Sequence, residues 1–325
     1  MSEKTSDGGT YSVSPQPDVE NSIDTTALSD LSQPDKPWDK HRGNADQAAN
    51  HYRGKEHFDR YAQRIDSCSQ LLDFRLVPEG KDGLLKFKLS SARFCRVRHC
   101  PVCQWRRSLM WKAKAYKVLP KIIADFPNYR WLFVTLTVRN CEVTDLKETL
   151  QWMNKGWQRL VQLKKFPAVG WIRSTEVTRG KDGSAHPHFH CLLLVKPSYF
   201  GKYYLRQVDW VEMWKRSLRV DYKPILHITP VKKGQQPMQL VPELLKYATK
   251  ESDLVVDQDW FLELTRQMYK TKATVTGGVL RDYLAELEKE PEDLVGEDEQ
   301  GEGYLEEGHF YFGWRRIEKK YRLVD

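Results

Sequence analysis

The sequence predicts an α+β protein built on a ferredoxin-like, RRM-like antiparallel sheet. Three observations carry that prediction. The hydrophobic periods between residues 129 and 231 run strand, helix, strand, strand, helix, strand; a turn-forming RGKDGSA joins the two middle strands; and 40% of the 325 residues are hydrophobic, enough to bury a core.

The first strand is YRWLFVTLTV (129–138), a β-branched and aromatic run between Pro127 and Asn140. After Asp145, residues Leu146, Leu150, Met153, Trp157 and Leu160 recur at helical spacing and form one apolar stripe. VGWIRSTEVT (169–178) and HPHFHCLLLV (186–195) are the middle strands, folded into a hairpin by the Gly- and Asp-bearing turn between them. Asp209 and Glu212 have capping-box spacing and open a second helix carrying Val211, Trp214 and Leu218. PILHITPV (224–231) closes the sheet, and PELLKYATKE follows as a further helix with Pro242 at its first position.

The flanks differ in composition. Residues 1–50 are rich in Ser, Asp, Thr, Gly, Pro and Gln without an apolar period, so a disordered tail is expected there. A zinc- and DNA-binding element is expected over 56–115, the sheet domain over 120–265, and a C-terminal region over 266–325 that contains an acidic stretch at 282–307. The net charge of +8 conceals an asymmetry: three Lys/Arg stand against eight Asp/Glu in residues 1–40, and one against twelve in residues 282–307. With the +3 of the last eighteen residues set aside, residues 41–281 carry +21. A body that basic expects a polyanion, of which nucleic acid is the commonest. No secretory signal or membrane-length apolar run is present, so a cytoplasmic protein with no membrane partner is expected.

HPHFH places His186, His188 and His190 on one face of a strand, because side chains alternate. With the hairpin turn centred between residues 181 and 183, Glu176 lies opposite His188 and on the same face. A carboxylate beside two imidazoles, with coordination positions left open, suits Mg²⁺ or Mn²⁺ that must also admit phosphate oxygens. His186 has no assigned part. On the last helix Glu243, Tyr247 and Lys250 sit at i, i+4 and i+7 and share a face. A phenol with its pKa near ~10 needs a polarised phosphate to act as a nucleophile, and the histidine strand supplies the means.

FCRVRHCPVC gives Cys95, Cys100 and Cys103 at knuckle spacing. In a cytosolic chain that reads as structural Zn²⁺ needing a fourth ligand, with Cys68 the candidate and His99 the alternative. Around the knuckle lie Arg96, Arg98, Arg106 and Arg107 with Trp105, a set suited to tracking phosphates and stacking on bases, or else the solvated face of a helix.

Three ordered segments, FVTLTVRN (133–140), HPHFHCLLLV (186–195) and ELLKYATKESDL (243–254), resemble the motifs of the HUH endonucleases, named for their His-hydrophobic-His strand. The match is closest to the replication initiators of small rolling-circle plasmids and covers roughly residues 60–260. The resemblance implies the HUH endonuclease fold, with His188, His190 and Glu176 on a divalent ion. It also implies Tyr247 as the nucleophile that nicks origin DNA, keeps the 5′-phosphate and frees a 3′-OH primer for a host polymerase and helicase. Lys250 is then a phosphate-balancing cation, and Glu243 the base for hydrolytic termination; the initiators also carry a cysteine cluster before the first motif. Tyr203, Tyr204 and Tyr222 are nearby phenols that could assist or substitute. The alternatives are a transposase with the same site and a non-catalytic, zinc-containing nucleic-acid-binding protein.

Overall fold

Between residues 129 and 231 the hydrophobic periods place their elements where the sequence expects them, and the sheet they form is larger than expected. The computed structural model describes residues 26–79, 84–231, 237–245, 249, 251–288 and 308–324. In chain order these form α1 (Leu28–Leu31), α2 (Pro37–Tyr52), α3 (Asp59–Asp66), β1 (Leu71–Glu79), β2 (Leu84–Ala92), α4 (Pro101–Asp125), β3 (Arg130–Thr137), α5 (Leu146–Val161), β4 (Ala168–Arg179) and β5 (Ala185–Val195). Then follow α6 (Gln207–Leu218), β6 (Leu226–Pro230), α7 (Val241–Leu244), α8 (Glu251–Val256), α9 (Gln258–Gln267), β7 (Thr274–Gly278), α10 (Arg281–Glu288), β8 (His309–Arg315) and β9 (Lys320–Val324).

Two antiparallel sheets organise the α+β chain. The larger has the order β6-β3-β5-β4-β7. Its first four strands have the order of a split βαβ sheet, in which β5 lies between β3 and β4 and antiparallel to both. Leu150, Met153, Trp157 and Leu160 of α5 and Trp210, Trp214 and Leu218 of α6 join Phe189, Cys191, Leu193 and Val195 of β5 in one core. The opposite face of the same strand, Leu192 and Leu194, packs on Ala115, Leu119 and Ile122 of α4 and Val241 and Leu244 of α7. The β5 alternation therefore serves two cores, and the histidines continue the α4/α7 face. Asp209 caps α6 from inside: the helix starts at Gln207, and Asp209 is its third residue, accepting from the Arg206 backbone amide at 2.9 Å.

The smaller sheet, β2-β1-β8-β9, joins residues 71–92 to residues 309–324. Leu72 pairs with Phe312 and Phe74 with Phe310. Two boundaries expected from composition are thereby corrected. Residues 28–50 are not a disordered tail: α2 buries Trp38, Arg42, Ala45, Ala48, Ala49 and Tyr52. Those apolar residues repeat at helical spacing, but mean polarity hides them. Residues 266–325 are not a separate region either, because β7 extends the larger sheet along β4, and β8 and β9 complete the smaller one. Residues 1–25 and 289–307, which hold most of both acidic segments, lie outside the described residues. Among the described residues no helix is long and apolar enough to cross a membrane.

Candidate functional site

The hairpin between β4 and β5 sets the register of the site. Its turn spans Gly180 to Ser184, with the Gly180 amide donating to the Ser184 carbonyl at 2.8 Å and Gly183 at φ +87°, a conformation glycine adopts at little cost. Glu176 lies opposite His188, Ser174 opposite His190 and Thr178 opposite His186. Glu176 Oε2 is 2.9 Å from His190 Nε2 and 3.9 Å from His188 Nδ1. These three residues offer ligand atoms that all lie within 4.8 Å of one another. Glu176 and His190 are buried, while His188 is half-buried and its buried Nε2 has no hydrogen-bond partner. One carboxylate oxygen and two imidazoles fit a divalent ion with positions to spare.

No local pattern in the sequence marks the groups that hold this cluster. Thr135 of β3 pairs with His190, and its Oγ1 is 3.3 Å from His190 Nδ1, which orients the ring from the side away from Glu176. The Phe133 ring stacks on His190 at 6.0 Å. His186 stands edge-on to His188 at 4.2 Å; burial and then its neighbour hold its pKa below the usual histidine value. Tyr222 is at the histidine end of the sheet, with its hydroxyl 3.4 Å from the Arg139 amide. Tyr203 and Tyr204 follow the far end of β5 and are exposed there.

Among the described residues the helix expected from Pro242 onward is short. α7 ends at Leu244, and Leu245 has left helical geometry at φ −108°, ψ 30°. The Leu244 carbonyl accepts from Ser174 Oγ and the Leu245 carbonyl from Ser108 Oγ, the latter at 2.7 Å. A longer helix would direct those same carbonyls at amides four residues on. Thr249 instead forms a parallel bridge with Val177, the residue after Glu176, and is fully buried. Glu243 is exposed on α7; Tyr247 and Lys250 lie outside the described residues.

Cys68, Cys95, Cys100 and Cys103 converge, and all four are buried. Cys68 Sγ and Cys95 Sγ each lie 3.6 Å from Cys103 Sγ, and Cys100 Sγ lies 3.8 Å from Cys68 Sγ. Four thiolates around a tetrahedral ion at ~2.3 Å would be about 3.8 Å apart. The Cys95 amide donates to Cys68 Sγ at 3.4 Å, and the Arg96 amide donates to Cys103 Sγ at 3.3 Å, with Arg96 at φ +56° in the knuckle. Hydrogen bonding from Cys100 and the other two thiols pulls the Cys103 thiol down, while burial pushes Cys100 up. His99, the alternative ligand, is not among the converging groups; burial lowers its pKa to about 3, and its Nδ1 contacts Gln104 at 3.4 Å.

The basic and aromatic set around the knuckle is mostly internal, which corrects the expectation of a recognition surface. Arg106 is buried among the Trp38, Trp105 and Phe94 rings at 5.5, 5.8 and 6.0 Å. Trp105 stacks on His41 at 4.5 Å. Buried Arg107 donates to the Arg96 carbonyl at 3.0 Å, and Arg98 donates to both the carbonyl and the hydroxyl of Thr271. α2, absent from the local pattern, contributes Trp38 against Arg106 and His41 against Trp105. Of the five, Arg96 is exposed.

Comparison with known proteins shows the family of the chain. A family model described as "Replication protein" matches residues 86–322. A "Protein rep" of Bacillus amyloliquefaciens is 35% identical over 248 residues, covering 68% of this chain and 70% of its own. A "Protein rep" of Lactiplantibacillus plantarum is 34% identical over 70% of this chain and 75% of its own, and a "Replication protein" of Staphylococcus aureus is 32% identical over 57% and 87%. No solved structure matches the chain. With a family match from β2 to β9 and relatives aligned over most of their length, the chain belongs to the Rep family of rolling-circle plasmid replication initiators.

Proposed function

We propose that this Rep protein starts plasmid replication by nicking one DNA strand at the origin through a tyrosine-bound intermediate. The observation that carries the reading is the convergence of Glu176, His188 and His190 beside the Thr249–Val177 bridge, since Thr249 is two residues from Tyr247 in sequence. Glu176, His188 and His190 would hold Mg²⁺ or Mn²⁺, which supplies Lewis-acid polarisation of a phosphate oxygen.

Tyr247 Oη attacks the scissile phosphorus and loses its proton, a tyrosine O–P bond forms, and the P–O3′ bond breaks. The departing oxygen takes up a proton and becomes the 3′-OH that a host polymerase extends behind a host helicase. Lys250 offsets charge on the phosphate. When the origin is regenerated, Glu243 accepts a proton from the water that attacks its phosphorus; the P–O3′ bond breaks, and the released 3′-OH attacks the tyrosyl phosphate, breaking the tyrosine O–P bond, so one tyrosine suffices. Thr135 holds the orientation of the His190 ring throughout. Cys68, Cys95, Cys100 and Cys103 would hold a structural Zn²⁺ that joins α3, the β1–β2 hairpin and the start of α4. Exposed Arg96 contacts DNA phosphate, and the protein acts in the cytoplasm.

Supercoiled plasmid carrying the origin, incubated with protein and Mn²⁺, tests the reading. Wild type should give nicked circles with protein on the 5′ end, and Tyr247→Phe should give none. Nicking by Tyr247→Phe equal to wild type would refute the mechanism. Glu243→Ala should nick but accumulate unterminated products, and normal termination by it would place the base elsewhere.

A further inference from the structure

A cleft of about 520 Å³ opens on the other face of β4 from Glu176, between α5 and residues 269–272. Its side chains include Arg173 and Thr175, which alternate with Ser174 and Glu176 along the strand. No Asp or Glu lines it, whereas Lys147, Lys270 and Lys272 do. Lys147 and Lys270 are exposed.

Arg173 is the unusual member. It is 4% exposed, with its guanidinium 4.0 Å from the Phe189 ring centroid and 5.4 Å from that of Trp157. Its Nη2 donates to Asn154 Oδ1 at 2.6 Å, and Asn154 is itself fixed by donating to the Leu150 carbonyl at 2.8 Å. Its Nε has no hydrogen-bond partner, and among the described residues no carboxylate pairs with it. Cys191, opposite it on β5, is kept neutral because burial pushes its thiol up. Burial lowers the Arg173 pKa only to about 10, so it stays cationic at neutral pH. A buried guanidinium with ring faces and one amide for company lacks the anion that would offset its desolvation. Its planar fork matches phosphate oxygens.

One further feature indicates a nucleic-acid phosphate. Tyr269 lines the cleft and is 58% exposed, so its ring is available for stacking on a base. β7 covers the edge of β4 from Gly170 to Ser174, and beyond it the Thr175 amide donates to the Ala273 carbonyl at 2.8 Å. Beyond Glu176 the same edge is taken up by Thr249, bridged to Val177, and by Asp253, which accepts from the Arg179 amide at 2.9 Å. We propose that the cleft is a phosphate-binding subsite that takes a backbone phosphodiester of the single-stranded DNA flanking the nick, with Arg173 at its floor, Lys147 and Lys270 at its mouth and Tyr269 under the adjoining base. The proposal rests on the reading of the protein as an origin nickase.

The test uses the full chain, a labelled single-stranded oligonucleotide, and binding measured by anisotropy over a range of salt. The double variant Lys147→Ala/Lys270→Ala, altered at two exposed positions, should bind about tenfold more weakly, and its log K against log salt slope should shrink by about 0.7 for each phosphate no longer neutralised. Arg173→Lys, which keeps the charge but not the fork, should weaken binding to a similar degree; if it does not fold, the double variant carries the test. Wild type that nicks origin DNA while the double variant binds with unchanged affinity and slope overturns the subsite alone. Wild type that binds but does not nick overturns the nuclease reading and leaves the binding comparison standing. Protection of wild type from heat by inorganic phosphate, with oligonucleotide binding equal in all variants, would assign the cleft to a free anion and overturn the proposal.

Discussion

His190 shows how much of the site depends on single contacts. Its Nε2 faces Glu176 at 2.9 Å while its Nδ1 faces Thr135 at 3.3 Å, so the two ring nitrogens are committed to opposite neighbours. A threonine hydroxyl in that position can donate or accept, so it stops the ring from rotating in either tautomer. Thr135→Val keeps the shape and removes the hydroxyl. The Mn²⁺ concentration for half-maximal nicking should rise about tenfold, with nicking at saturating Mn²⁺ largely retained. An unchanged metal requirement would show that Thr135 does not orient the ligand. Glu176 was legible in the sequence because a short Gly-containing turn fixes which residues face each other across a hairpin. Thr135 was not, because its strand reaches His190 only through a non-local pairing, Thr135 with His190, that no local period encodes.

At the scale of elements, α4 links the two halves of the molecule. Its first turn carries Cys103, its second turn buries Arg106 and Arg107, and its last turns place Leu119 and Ile122 under Ile172 and Leu192. The four-cysteine cluster therefore fixes the start of a helix that supports the face bearing the histidines. Purified in reductant, the protein should contain one zinc per chain by metal analysis. Cys103→Ser should lose that zinc and on the order of 3 kcal/mol, which lowers the melting temperature by roughly 5 °C in a chain of this size. A variant that melts with wild type would remove the metal from the account of stability. The cysteine spacing was readable because ligand geometry restricts it. The role of the arginines was not, since exposure depends on α2 arriving from elsewhere in the chain. The end of α7 was hidden in the same way: two serine hydroxyls from β4 and α4 meet its final carbonyls, a tertiary contact that overrides a good helical pattern.

Across the whole molecule, the chain ends close the sheet on which the cysteine cluster leans. β1 and β2 alone would be a two-stranded hairpin, which is marginal in water. β8 pairs with β1 and β9 with β8, and Phe312 and Tyr321 are fully buried there. The Tyr321 hydroxyl donates to the Ser69 carbonyl at 2.7 Å, one residue from Cys68, and the Leu323 amide donates to the Thr26 carbonyl at 3.0 Å. Trp38 of α2 meets Tyr321 edge-on at 6.2 Å, so residues far apart in sequence share one aromatic core. The five-stranded sheet takes no strand from β8 or β9, although its α5 and α6 side shares one buried cluster with Phe312 and Tyr321, and its α4 side packs in a second cluster without them. Ending the chain after residue 307 should therefore act unevenly. Removal of two buried aromatics, each worth about 3–5 kcal/mol, should unfold the β1–β2 region, release zinc and open residues 60–95 to protease. Protease fragments mapped by mass, with zinc measured in the same samples, check this. A truncated chain that keeps its zinc and resists cleavage in that region would mean that the β1–β2 hairpin and the cysteine cluster stand without the C-terminal strands.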